Sequence, residues 1–213
     1  MTPDGDAPLG LRERKKRETR VALSRATIRL CVERGWENVT VEDIAAAANV
    51  SVRTFRNYFA GKAEAVAASH VERMLRIADE LRARPAAEPL WDAVTAAVLA
   101  EFGAPGDQAD QAVAESPHAR RWRDGVRLML AEPALQGEIV KANAAAQGEL
   151  ARAVAERTDG DAAHDVYPKL LAAVVSAASS VAVEHSLTAE PPTAVGPLLA
   201  EVLERLAMGL RAP

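Results

Sequence analysis

Two helix-start signals stand close together in one short stretch, and they restrict the fold more than any other feature of the chain. Thr40-Val41-Glu42-Asp43 puts a hydroxyl at an N-cap position with a carboxylate three residues on, the pattern of a capping box. Ser51 offers a second N-cap. Asn49, between them, is a residue type that tolerates the left-handed conformation ending a helix. A helix over 41–48 and another from Ser51 to about Tyr58 or Phe59, joined by about three residues, make a helix-turn-helix. In that unit Phe55 and Phe59 face inward, while Val52, Arg53, Thr54, Arg56, Asn57 and Tyr58 lie on the other side of the second helix.

The rest of the chain reads as helix too. Alanine is abundant, β-branched residues form no period-2 runs, and Gly and Pro punctuate long stretches, so no sheet is expected and the fold class is all-α. Residues 1–11 hold Pro3, Gly5, Pro8 and Gly10 and read as a disordered arm. A first helix is expected over 12–34, with Ala22, Leu23, Ala26, Leu30 and Cys31 as its apolar stripe and Gly35 ending it. A long helix should start at Lys62 and run to about Ala83, before Pro85 and Pro89. Further helices are expected over about 89–102, 107–115, 117–131, 133–157, 163–187 and 192–211, with Pro117, Pro133 and Pro192 near first-turn positions. The implied organisation is a small three-helix domain over 12–61 that contains the helix-turn-helix and a larger helical domain over 62–213.

The net charge of −4 argues against a nucleic-acid partner only until it is divided along the chain. Residues 1–62 carry 12 Lys+Arg against 8 Asp+Glu, and residues 63–213 carry 14 against 22, so a +4 head sits on a −8 body. The single cysteine, Cys31, excludes an internal disulfide and a cysteine-rich metal site. Met1 to Arg20 has no apolar core of the signal-peptide kind. The longest apolar run, Leu170 to Val183, is about 14 residues with three serines, shorter than the roughly 20 that span a bilayer. The expectation is a cytoplasmic protein with no membrane partner.

Gly35-Trp36-Glu37-Asn38-Val39-Thr40-Val41-Glu42-Asp43-Ile44-Ala45, then Ala48-Asn49-Val50-Ser51-Val52-Arg53-Thr54-Phe55-Arg56-Asn57-Tyr58-Phe59 and Lys62, resembles the DNA-binding domain of the TetR family of transcriptional regulators. The layout beyond it, and the variant Arg-Thr-Phe-Arg-Asn-Tyr-Phe, look most like actinobacterial members, some of which sense fatty acyl-CoA or other hydrophobic ligands. Three positions depart from the family pattern: Asn49 stands for the usual glycine, Arg56 for the usual aromatic, and the glutamate after Lys62 is displaced to Glu64. The resemblance implies a ligand-responsive repressor, released from a palindromic operator when a small hydrophobic or anionic-headed effector moves the helix that begins at Lys62. Its second short helix would enter the major groove. Arg53 and Arg56 can bond guanine, Asn57 adenine, and Val52 or Thr54 a thymine methyl, with Ser51 and Tyr58 at the same surface. Thr40 and Lys62 are expected on phosphates, and Lys15, Lys16, Arg17 and Arg20 supply long-range attraction or reach the adjacent groove. Trp36 reads as core.

One such domain reads about half a site, so a homodimer is expected, with the helices over 163–187 and 192–211 forming a four-helix bundle about a two-fold axis. Leu198, Leu199, Val202, Leu203, Leu206 and Leu210 form the stripe of the last helix. The effector lining is expected from Trp91, Val94, Val98, Phe102, Trp122, Val126, Met129, Leu130, Ile139 and Tyr167. Arg120, Arg123 and Arg127 share one helical face that could hold an anionic head group, although a solvated face explains them as well.

An enzyme is the rival class, but no Gly-x-Ser-x-Gly elbow or phosphate-cradling Gly-rich loop is present, and His70, His118, His164 and His185 have no metal-ligand spacing. Neither catalytic residues nor a cofactor nor a metal is expected. A helical interaction or scaffold protein would explain the Ala/Leu-rich helices but not the capped pair with its basic face.

Overall fold

The computed structural model describes residues 7–103 and 116–209, and every regular element among them is helical, in accord with the all-α expectation. In order these are α1 (Ala7–Arg34), a 3-10 turn (Trp36–Asn38), α2 (Val41–Ala47), α3 (Val52–Arg56), α4 (Lys62–Ala83) and α5 (Leu90–Phe102). Then come α6 (Pro117–Leu130), α7 (Pro133–Arg157), α8 (Val166–Thr188) and α9 (Val195–Ala207). The helix expected over 107–115 lies outside the described residues, as do positions 1–6 of the expected arm and Leu210 of the last stripe.

The chain divides into two compact units. The first gathers the residues up to Ser69 with Leu128–Ile139; the second holds His70–Arg127 and the chain from Val140 onward. The expected boundary between 61 and 62 is therefore not where the chain divides: the opening turns of α4 and the α6–α7 junction cluster with the N-terminal helices.

In the first unit α1 starts at Ala7, so residues 7–11 are helix and not arm; Pro8 falls in the first turn, where its missing N–H costs nothing. The buried stripe of α1 is Leu23, Ala26, Thr27, Leu30 and Cys31, and Ala22 is exposed. Thr27 can join the stripe because its hydroxyl donates to the Leu23 carbonyl at 2.8 Å. Gly35 takes φ 85, a left-handed value that costs glycine little, and its N–H closes α1 on the Cys31 carbonyl at 3.0 Å. That reversal delivers Trp36 into the core, as expected for it.

The second unit is built on long helices whose apolar residues recur at helical spacing. Met74, Ile77, Ala78 and Leu81 of α4 meet Ala93, Val94, Ala97 and Val98 of α5, Leu150 and Val154 of α7, Leu171 and Val175 of α8, and Leu199 and Leu203 of α9 in one buried cluster. α9 packs on both α8 and α5. The closest approach is at Gly196, where a Cβ would lie 2.2 Å from the Gly103 carbonyl oxygen, so only glycine fits. α8 is 23 residues long with a mean hydropathy of 1.6 over its most apolar 18-residue window. By length and composition alone it could cross a membrane, which corrects the shorter apolar run read from the sequence. Leu171, Ala172, Val175, Ala178 and Ala182 are nevertheless buried in the core of the second unit, as in the core helix of a soluble domain.

Candidate nucleic-acid interface

The helix-turn-helix is assembled by local hydrogen bonds. Thr40 Oγ1 accepts from the Asp43 N–H at 3.2 Å and donates to Asp43 Oδ2 at 2.6 Å, while Asp43 Oδ2 also accepts from the Thr40 N–H at 2.9 Å, so the capping box closes in both directions. These bonds hold the Asp43 carboxyl below its ordinary range, with Arg34 at 3.8 Å assisting. α2 ends where Asn49 takes φ 54, the left-handed conformation asparagine allows. Ser51 then caps α3: its Oγ accepts from the Thr54 N–H at 3.0 Å and pairs with Thr54 Oγ1 at 2.8 Å.

α3 is shorter than expected, five residues from Val52 to Arg56, with Asn57 and Tyr58 in a following turn whose N–H groups bond the Arg53 and Phe55 carbonyls. The tight reversal brings Phe59 under Phe55, ring centres 5.7 Å apart and tilted by 52°, both fully buried. With that face anchored, Arg53, Arg56 and Asn57 are exposed and Val52, Thr54 and Tyr58 are half-buried beside them. Among the described residues Arg53 and Arg56 have no ion pair, which leaves two guanidinium forks and an amide turned outward on consecutive turns.

The other expected contacts divide. Lys15, Lys16 and Arg17 are exposed on α1, but Lys16 stands 4.0 Å from Glu13 and Arg17 has a partner within the chain. Arg20 lies over the Phe59 ring, 4.6 Å from its centre, and its Nη1 donates to the Tyr58 carbonyl at 3.4 Å. Lys62 donates through Nζ to the Trp36 carbonyl at 2.5 Å and the Val39 carbonyl at 3.2 Å, with the Trp36 ring 4.6 Å away. Arg20 thus fastens α1 to the turn after α3, and Lys62 ties the start of α4 to the 3-10 turn. Thr40 and Ser51 are exposed, with hydroxyls already engaged as caps. Glu64, the displaced glutamate, accepts from the Ala60 N–H at 2.7 Å and so secures the entry to α4.

The residues expected to line an effector site are not brought together as one set. Val94 and Val98 are fully buried in the core of the second unit, and Trp91 and Phe102 are packed against it. Met129, Leu130 and Ile139 belong instead to the first unit. Trp122 is 38% exposed and Tyr167 55% exposed; Val126 is half-buried. The arginine face of α6 splits. Arg120 and Arg127 are exposed and Arg127 pairs with Asp124 at 3.5 Å, whereas Arg123 turns in and its Nε is buried with no partner among the described residues.

Two clusters escaped the sequence reading. Arg157, at the end of α7, donates to the carbonyls of Arg84 at 3.0 Å, Glu88 at 3.1 Å, Leu81 at 3.4 Å and Pro85, clamping the α4–α5 connection. Nearby, Arg82 donates to Glu156 at 2.7 Å, and Arg84 grips Glu88 with two bonds of 2.6 Å. At the middle of α4, Arg73 stacks on Phe102 and Arg76 bonds Glu101 at 2.8 Å. Only the charges were visible in sequence; their partners on other helices were not.

Comparison with known proteins agrees with this arrangement. Residues 23–68 match the model of bacterial regulatory proteins of the tetR family, and residues 88–211 match the MftR C-terminal domain. The HTH-type transcriptional regulator TcmR of Streptomyces glaucescens is 34% identical over 182 residues, spanning 84% of this chain and 76% of that protein. Among solved structures, the fatty acid degradation regulator FadR of Bacillus halodurans covers 92% of this chain and 97% of its own, with a TM-score of 0.54 and 17% identity. A TetR-family regulator of Syntrophomonas wolfei covers 92% and 98%, with a TM-score of 0.59 and 15% identity. At those identities the two structures speak for the fold.

Proposed function

The chain belongs to the TetR family of transcriptional regulators, and from that premise we propose that it is a repressor that holds a palindromic operator as a homodimer and lets go when a small effector binds its second unit. It is a DNA-binding regulator and not an enzyme, and regulators of this kind act in the cytoplasm. The observation that carries the reading is α3: two buried phenylalanines fix its inner face and leave Arg53, Arg56 and Asn57 outward with no ion pair among the described residues to neutralise them. Arg53 and Arg56 suit guanine O6 and N7, and Asn57 suits adenine. Lys15 and Lys16 suit phosphates or the neighbouring groove.

The dimer reading has support in α8. Leu170 and Val181 are more than half exposed on a helix whose other face is core, and Ala177 lies between them on the outer face. A stripe of that kind suits self-association through α8 and α9. For release, α4 contributes residues to both units, as α6 and α7 also do, so an effector that favours one placement of α4 can bias the reading heads. Coupling of about 1–3 kcal/mol gives roughly 5–150-fold release. The effector we propose is hydrophobic or has an anionic head; the buried, unpartnered Nε of Arg123 favours the anion, and the fatty acid degradation regulator of Bacillus halodurans shares the fold.

The test is a gel shift over a palindrome from the protein's own promoter region at several salt concentrations. Binding that weakens steeply with salt is expected, and no shift at low salt refutes the reading. An Arg123→Ala protein should keep its operator affinity and lose induction; unchanged induction removes Arg123 from the effector site.

A further inference from the structure

The second unit keeps a half-buried guanidinium with no acceptor among the described residues. Arg73 of α4 is half-buried, its guanidinium 4.7 Å from the centre of the Phe102 ring of α5, and among the described residues it makes no hydrogen bond. The charges acting on it are those of Arg76 and Glu101. Glu101, the one acid of that pair, is already bonded by Arg76 at 2.8 Å, so one carboxylate faces two guanidiniums. One turn earlier on the same face of α4 stands His70. The Asn143 side chain of α7 hydrogen-bonds its ring, yet Nε2 is fully buried with no partner. Burial, with Arg73 adding to it, holds the His70 pKa below its ordinary value, so at neutral pH the imidazole is uncharged.

A buried polar atom without a partner costs free energy, and it persists most readily where a ligand supplies what is missing; the neighbouring half-buried guanidinium, with no acceptor among the described residues, supplies the charge that would draw an anionic one. Both positions lie on one helical face, three residues apart, with the Phe102 ring against Arg73. We propose that His70 and Arg73 form an anion-binding subsite of the effector domain, taking the carboxylate or phosphate head group of the effector between His70 Nε2 and the Arg73 guanidinium, with Phe102 beneath. A guanidinium fork matches two oxyanion oxygens, and the imidazole, whose other ring nitrogen is bonded to Asn143, donates from Nε2 to the same group on taking up a proton that the anion favours. This rests on the reading of the second unit as the effector-binding part.

The experiment uses the full chain and small probes. The His70 ring resonances, identified by their loss in His70→Gln, are followed by NMR at fixed pH while acetate or inorganic phosphate is added, with chloride at matched ionic strength as control. Acetate or phosphate should give a saturable shift that chloride does not, and the tighter of the two tells whether the head group is a carboxylate or a phosphate. In Arg73→Met the half-saturation should rise by about tenfold or more, with operator affinity unchanged. If Arg73→Met does not fold, Arg73→Lys, which keeps the charge and loses the fork, should show a smaller weakening. No saturable shift in the unaltered protein, an equal shift with chloride, or the same titration in the variants overturns the subsite. A protein that shifts operator DNA without the anion response loses only the subsite; one that shows the anion response without binding DNA loses the regulator reading.

Discussion

The two units differ in how far along the chain their longest polar bonds reach. In the first, most polar bonds join residues three or four apart: Thr40 with Asp43, Ser51 with Thr54, Ala60 with Glu64, Arg34 with Asn38. In the second, bonds of that length recur, Arg84 with Glu88 and Arg205 with Glu201 among them, but others reach much farther, from Arg82 to Glu156 and from Arg157 back to Arg84 and Glu88, whereas the longest in the first join Arg20 to Tyr58 and Lys62 to Trp36. Short helices leave a large share of their backbone groups unsatisfied, so side chains nearby must supply partners. Long helices satisfy their own backbone, and their polar side chains are free to join one helix to another. A reading head can thus be specified locally, while an effector domain needs its whole length to be specified.

The sharpest way to break that contrast is at Phe55. It is fully buried against Phe59, and Phe55→Ala removes the anchor of α3 at a cost of about 3–5 kcal/mol, a large part of a small domain's stability. Operator binding should be lost in a gel shift while hydrogen exchange finds the amides of α8 and α9 still protected. Exposure of α8 and α9 in that variant would mean that the first unit is not separately specified.

Arg157 makes the matching cut in the second unit. Arg157→Ala strips partners from the carbonyls of Arg84, Pro85 and Glu88 and should cost about 2–4 kcal/mol, read as a lower denaturation midpoint. Arg157→Lys should recover little, because one ammonium cannot reach carbonyls spread along the connection. A neutral Arg157→Ala would show the clamp to be incidental.

The same contrast decides what could be read before the fold was known. The capping box at Thr40, the cap at Ser51, the left-handed Asn49 and the start of α4 at Lys62 are written within a few residues each, so local rules suffice. Whether a cation is free is not local. Lys62 reads as a phosphate ligand, and Arg20 as a source of long-range attraction or a contact in the adjacent groove, because the sequence does not say that the Trp36 and Tyr58 carbonyls lie within their reach. The shortened α3 has the same origin, since burying Phe59 under Phe55 outweighs continuing the helix. In the second unit the periodic core was legible, whereas Arg73 on Phe102, or Met129 in the other unit, follows only from how distant helices meet.

A smaller effect sharpens the role of the two outward arginines. If Arg53 reads a base pair, Arg53→Ala should weaken operator binding by about 1–3 kcal/mol and relax preference at one position, and Arg56→Ala should do the same at another. Lys15→Ala should weaken all sequences alike and lower the salt slope by about one. Competition gel shifts over single-base operator variants separate the outcomes, and uniform weakening by all three would leave α3 as a phosphate binder.

Acid should finally distinguish the units by where each begins to fail. His70 has its folded-state pKa below the ordinary 6.5, so as pH falls through that value the unfolded chain takes a proton that the folded chain refuses. Stability of the second unit is therefore complete above that range and declines below it. Asp43 is also depressed, but from a carboxylate's ordinary value of 3.8, so its contribution persists through mildly acid solution and is lost only as pH falls below that value, through the lowered folded-state pKa. Hydrogen exchange across a pH series should show α4 residues beyond His70 weakening first and α2 only in stronger acid. His70→Gln should flatten the upper step. Thr40→Ala, which costs about 1 kcal/mol of cap, should flatten the lower one, because the hydroxyl that holds the Asp43 carboxyl down is gone. Loss of protection in both units over the same pH range would contradict the separate local and long-range construction from which the two steps follow.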